Sequence, residues 1–423
     1  MISPGAKGWI NKYFDLVTKG TIKLEVKRPS KMRKLHFMHL TLANCGIVFG
    51  YPQELIFGRD LDSSQWTNEE KLRLILFEAH LFVFLQINKD NEFNKEEFID
   101  ALVSFYQHHN ASAIAKAFTF FLKESKLEKL ESVLAKRVEI KTNLLENKWW
   151  VNSLSNAFSY LDVILFDDFV HRESNEALKE YSTFAKNVLT AIILSAYSDG
   201  ELGKKEKEIF EIFLASANLS EKEQEEMKAK LTTGTGISEI SDFVKDHWLL
   251  QRFILDVSIL TILSEEDLTK DEMKFLSALC EHLGIPKHDL EENLGLIEGF
   301  LLKAGGEFEF MQGSPSYEKV YSRMTKRWTK ILTRNKDKLA EEIKGSKELI
   351  YLVKKGTTNE LTKQEKELVR SHFKEIAKTI PALAIFILPG GTLLLPIVLK
   401  IVPDLIPSAF RSNKIEGEEG PKG

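Results

Sequence analysis

Proline is missing from the long middle of this 423-residue chain: none occurs between Pro52 and Pro286. Glycine is sparse over much of that span, where Leu, Lys, Glu, Ala and Phe dominate at helical spacing, a combination that predicts an all-α protein. Cysteine is scarce. Cys45 and Cys280 stand far apart and form no CxxC pair, which points to a reduced, cytoplasm-facing chain. Excess charge is also lacking: the formal net charge is -4, so nothing pulls the whole chain toward nucleic acid. The first twenty residues have no secretory apolar core and are rich in neither Arg nor Ser, against a secretory signal or a transit peptide. Catalytic signatures are absent too: no P-loop, no GxSxG, no HExxH, and no GxGxxG after a strand, so no enzymatic role is expected. His108-His109 reads as an exposed pair on a helix.

The length allows two or three domains, each with its own core. The expected organisation is multi-domain helical bundles with one C-terminal, proline-kinked membrane segment. An N-terminal helical domain (1–148) is followed by a helical domain of two pseudo-repeats (149–304) and a Gly/Ser/Pro linker (305–318). Basic helices (319–378) then lead to an apolar segment (379–410) and a disordered tail (411–423). Residues 21–27 alternate polar and apolar, enough for a short hairpin arm.

What is present is repetition. DNEFNKEE (90–97), DGELGKKE (199–206) and EEDLTKDE (265–272) share an acid-x-acid start, an apolar residue, a Lys and a final Glu. One reading is a divalent-cation site, for Ca²⁺ or Mg²⁺, built from hard oxygen ligands. The other is helix initiation: Asn94, Gly203 and Thr269 are N-cap candidates with Glu three residues on, and the leading acids complement the helix dipole. A partial fourth copy, NELTKQE (359–365), lacks the leading acid, so part of the motif works as a helix start alone. None is an EF-hand, because Lys95 and Lys204 occupy the position that needs Gly. The helices after copies two and three are predicted to end at Asn218 and Gly284, which tolerate a left-handed conformation.

YSDGELGKKEKEIFEIFLASANLS, with its degenerate second copy, resembles the TerB-like (tellurite-resistance B type) family over about residues 180–302. The resemblance implies an all-helical bundle of two pseudo-repeats. Its implied acidic site comprises Asp199, Glu201 and Glu206 with Glu265, Asp267 and Glu272. Glu266 stands where the first copy has Gly200, a departure from the family pattern.

Residues 319–338 carry eight Lys/Arg and one acid. Tyr321, Met324, Trp328 and Ile331 share one helical face, with Lys319, Arg323, Lys326, Arg327, Lys330 and Arg334 as the basic surface. Such a helix suits anionic lipid head groups, or ribosomal RNA phosphates, or packs its stripe on a neighbouring domain with the charges solvated.

Between Lys378 and Lys400 lie 21 residues without a charge. As a helix they would span about 31 Å, close to the hydrocarbon thickness of a bilayer. Pro381, Pro389, Pro396, Pro403 and Pro407 punctuate this region, and Gly390-Gly391 sits at the centre of the run. Each interior proline costs about 3 kcal/mol, so insertion is marginal and needs neighbouring protein to satisfy the broken backbone. One kinked crossing, a re-entrant hairpin and a buried hairpin in a soluble domain all fit. More Lys/Arg precede the run than follow it, which predicts a cytoplasmic N-terminal part.

The elements LTKQE, IP…ILP…LLP and VPDLIPSAF resemble the core of the LETM family (leucine-zipper, EF-hand transmembrane proteins) over about residues 342–410. The resemblance implies residence in the mitochondrial inner membrane, exchange of potassium or calcium for protons, and a ribosome-binding-like domain. The family's downstream coiled coil and EF-hand are not expected here, and no Asp, Glu or His lies within 380–399, where an exchanger needs a titratable group. A bacterial relative in the inner membrane is expected. Its role would be that of a scaffold or sensor binding a protein partner, the ribosome or a divalent cation. The alternatives are a transport subunit, homo-oligomeric through the proline segment, and a soluble ribosome-associated factor.

Overall fold

The computed structural model describes residues 2–28, 32–87, 93–108, 125–139, 154, 156–172, 180–264, 268–304, 317–376, 380, 383 and 395–405. Among them are seventeen α-helices and no strand, so the chain is all-α. The arm expected over 21–27 does not pair. Ile22 is buried and its neighbours Thr21 and Lys23 are exposed, so the alternation is real, but no described segment offers it a ladder.

Two compact units are present: Met1–Lys27 with Lys34–Tyr317, and Arg28–Arg33 with Glu318–Gly423. The second begins at the end of the expected linker. Residues on both sides of position 148 belong to the first unit.

In the first unit the helices are α1 (Trp9–Thr18), α2 (Lys34–Cys45), α3 (Asn68–Ile87), α4 (Lys95–His108), α5 (Lys126–Val138) and α6 (Ser159–Arg172). They continue with α7 (Tyr181–Ala196), α8 (Lys204–Ser216), α9 (Glu221–Thr233), α10 (Trp248–Ile262), α11 (Lys270–Leu283) and α12 (Lys287–Ala304). α7 and α10 form the central pair. The stripe Val188, Leu189, Ile192, Ile193 and Ala196 is fully buried there. α3 packs on both α5 and α6, which joins the N-terminal and middle regions in one core. Buried residues lie all round α3, the pattern of a helix without a solvent face.

Burying α3 also buries Glu78 at its middle. Its carboxylate accepts from the Tyr13 hydroxyl (3.0 Å) and from the backbone N–H groups of Ile56, Phe57 and Gly58. Burial pushes this carboxyl up, and the four hydrogen bonds oppose the shift. Glu131 of α5 plays a similar part at long range. It accepts from Gly8 N (2.8 Å) and Ile10 N (2.9 Å), supplying the cap of α1 that Gly8 lacks a side chain to give.

The second unit holds α13 (Tyr317–Arg334), α14 (Lys336–Lys344), α15 (Lys347–Thr358), α16 (Lys363–Ile376) and α17 (Leu395–Leu405). α15 packs against α14, α16 and α17. Gly356 faces Leu399 so closely that an added Cβ would lie 2.8 Å from its side chain. The end of the apolar run is therefore core: Leu395, Val398, Leu399, Ile401 and Val402 are buried. No described helix is long and apolar enough to cross a membrane. α17 has 11 residues, whereas a spanning helix needs about 20.

Candidate functional site

The acidic turns fold as helix starts. Thr269 accepts from Glu272 N at 3.2 Å, and the Glu272 carboxylate accepts from Thr269 N. Glu206 accepts from Gly203 N at 2.7 Å; glycine offers no return bond, so this box is half made. Thr362 and Glu365 cap α16 in the same way, while at the start of α4 Asn94 accepts from Glu97 N and donates through its side-chain amide to the Glu97 carboxylate. Asn218 takes φ 52° and Gly284 φ 71°, the left-handed ends expected of α8 and α11.

Of the six predicted acids, Glu206 and Glu272 are buried in their caps, and Asp199 and Glu201 are exposed. Asp199 accepts from Glu201 N at 3.1 Å. Glu265 and Asp267 lie outside the described residues, as do Asp90 and Glu92. Among the described residues, no group of three or more His, Cys, Asp or Glu is placed to hold a metal ion.

A different group of titratable residues converges between α6 and the start of α10. A half-open cavity of about 200 Å³ is lined by Asp167, Asp168 and His171 of α6 and by Asp246, His247 and Trp248 at the start of α10. His247 Nδ1 lies 2.7 Å from Asp168 Oδ2, and His247 itself is buried. His171 Nδ1 lies 2.9 Å from Asp167 O and 3.3 Å from Asp167 Oδ1, and Asp167 raises the His171 pKa above its ordinary value. The one local signal was the i,i+4 spacing of Asp167 and His171.

Behind this cavity runs a buried polar chain. His39 Nε2 of α2 lies 2.6 Å from Asp256 Oδ2, and Asn293 donates to Asp256 Oδ1 at 2.7 Å. Arg252 donates to Asn293 (3.2 Å) and to Asp289, while its guanidinium stacks 4.7 Å from the Trp248 ring centre. The chain ties α2, α10 and α12 together through hydrogen-bonded polar groups in the core. A second buried pair joins α5 to α6: Arg137 reaches both carboxylate oxygens of Asp162, at 2.5 and 2.6 Å. Burial works against the Arg137 charge, but Asp162 outweighs it and keeps the guanidinium protonated.

In the second unit the aromatic stripe of α13 is inside. Met324, Trp328 and Ile331 are buried, so the stripe is not a face for lipid insertion in this fold. Lys326, Lys330 and Arg334 are exposed, Arg323 and Arg327 are half-buried, and the Lys319 and Tyr321 side chains lie outside the described residues. Pro396 and Pro403 fall in α17, whereas Pro381, Pro389, Gly390, Gly391 and Pro407 are outside the described residues.

Comparison with known proteins finds two matched regions. Residues 151–294 match the family described as "Protein of unknown function (DUF533)", which is TerB-like. A 76-residue stretch is 37% identical to the LETM1 domain-containing protein mdm28, mitochondrial, of Schizosaccharomyces pombe. The identity is again 37% over 76 residues with the LETM1 domain-containing protein YLH47, mitochondrial, of Saccharomyces cerevisiae. Each match covers 18% of this chain and 16% of the relative. No solved structure matches the chain significantly. The C-terminal residues 361–421 match the family described as "LETM1-like, RBD", so the chain carries a LETM1-like domain behind a DUF533 domain.

Proposed function

We propose that this protein is a non-enzymatic helical adaptor that holds a macromolecular partner beside a membrane. The observation that carries the reading is the LETM1-like match over 361–421, which spans the proline-punctuated run. In this reading the part of the proline-punctuated run ahead of α17 attaches the chain to the bilayer, while α17 stays packed on α15. The exposed Lys326, Lys330 and Arg334 of α13 face either anionic head groups or a ribosome, and the DUF533-type unit engages a protein partner. Ion transport is the weaker reading, because the uncharged run contains no acid or histidine to carry a proton.

Fractionation of the full chain against one truncated after Lys378 tests the attachment. The full chain is expected in membranes after a carbonate wash, and the truncated chain in the supernatant. Recovery of both in the supernatant removes the membrane from the proposal.

A further inference from the structure

The helices on either side of the uncharged run, α16 before it and α17 at its end, both pack on α15. Ion pairs join α16 to α15: Lys355 Nζ lies 2.6 Å from Glu365 Oε1, and His372 Nε2 lies 2.9 Å from Glu348 Oε2. α17 is held by its apolar face. Leu395, Val398, Leu399 and Val402 are buried, and Leu399 sits against α15 at Gly356, where no side chain intervenes. The charged residues of α17, Lys400 and Asp404, are exposed.

The protein also holds the beginning of the run. Beyond α16, Ile380 N donates to Ile376 O and Leu383 N donates to Ile380 O, both at 2.9 Å. Ile380 and Leu383 are each 1% exposed. Between Leu383 and Leu395, two buried positions, lie the 11 residues 384–394.

That length does not suit a crossing. As a helix, 11 residues span about 17 Å, against a hydrocarbon core of about 30 Å. An extended chain would reach farther, but lipid offers no partner to its backbone N–H and C=O groups. Connectivity is the larger obstacle. A crossing places the two ends of the run on opposite faces of the bilayer, whereas α15 holds both ends together. To assemble the roughly 20 residues of a spanning helix, the run would have to pull Ile380, Leu383 and Leu395–Leu399 off the protein. Lipid and protein interior are both apolar, so those side chains gain little by the exchange. The α15 surface at Gly356 would meanwhile lose its cover to water.

We propose that the chain meets the bilayer from one face only, with α16 and α17 on the same side and no crossing between them. The inference rests on the attachment reading above and fixes its topology: the run enters the near leaflet and returns, so the chain is anchored to the membrane without spanning it. Lys400 and Asp404 then stay in water, on the face that α17 turns away from α15.

Cysteine labelling from each side of the membrane tests this. Cys45 and Cys280 are buried, and burial pushes their thiols up to about 12 and about 11, so an impermeant maleimide leaves them unreacted. Single cysteines are introduced into the full chain at exposed positions, Ser371→Cys on α16 and Lys400→Cys or Asp404→Cys on α17. Each variant is expressed in a bacterial host, and right-side-out and inverted membrane vesicles are treated with the maleimide. The unsubstituted chain gives the background. All three cysteines are expected to react in the same vesicle preparation and to be protected in the other. Reaction of Ser371→Cys from one side and of Lys400→Cys and Asp404→Cys from the other overturns the proposal and leaves attachment intact. So does a cysteine at 400 or 404 that is shielded in both preparations until detergent is added, because α17 would then lie in the hydrocarbon. Chain that a carbonate wash strips entirely from the vesicles refutes attachment itself, and the one-face topology falls with it.

Discussion

His80→Phe should remove part of the acid sensitivity of the first unit. His80 is fully buried in α3, its ring 5.1 Å from that of Phe166 and 5.7 Å from that of Tyr106. Nδ1 donates to Leu76 O at 2.7 Å, and Nε2 has no hydrogen-bond partner. Burial holds its pKa down, from the ordinary 6.5 to about 4. The unfolded chain therefore takes up this proton at a higher pH than the folded one. The stability tied to neutral His80 is complete above pH 6.5 and is lost as the pH falls toward 4. At about 1.4 kcal/mol per pH unit the full loss is about 3 kcal/mol, with roughly 2 kcal/mol gone by pH 5. Phe has similar bulk, suits the aromatic surroundings and leaves no unpaired nitrogen, so at pH 8 the variant should lie within about 1 kcal/mol of wild type. Urea unfolding at pH 8, 7, 6 and 5 measures the difference between the two proteins, in which every other titrating group cancels to first order. The variant should gain about 2 kcal/mol on wild type between pH 8 and 5. Stability curves that run parallel over that range would refute the reasoning.

Two further outcomes follow from buried and capping carboxylates. Asp162→Ala strands the Arg137 guanidinium, whose side chain is 8% exposed, and should cost about 3–5 kcal/mol in denaturant unfolding; a loss below about 1 kcal/mol would mean that water reaches Arg137. With Glu206 and Glu272 committed to their caps, calorimetric titration of the full chain with Ca²⁺ or Mg²⁺ should give no saturable heat. A saturable heat abolished by Asp199→Ala would restore the acidic turns as a cation site.

The capping boxes were readable because cap and Glu are three residues apart, so the bond depends on the local chain alone. The same holds for the left-handed Asn218 and for the absence of proline that made the middle helical. Amphipathic spacing likewise placed Trp328 and Met324 on one face. It could not say whether lipid or protein covers that face, since both are apolar, and the fold covers it with protein.

Charge, spacing and proline order in the sequence determined an all-α chain, its helix starts and stops, and its TerB-like and LETM-like regions. The tertiary structure alone decided which buried charges meet. Glu131 caps a helix 121 residues away, and His39 finds Asp256 across 217. Those pairings depend on packing around α3 and α10, and no short window of sequence contains both partners.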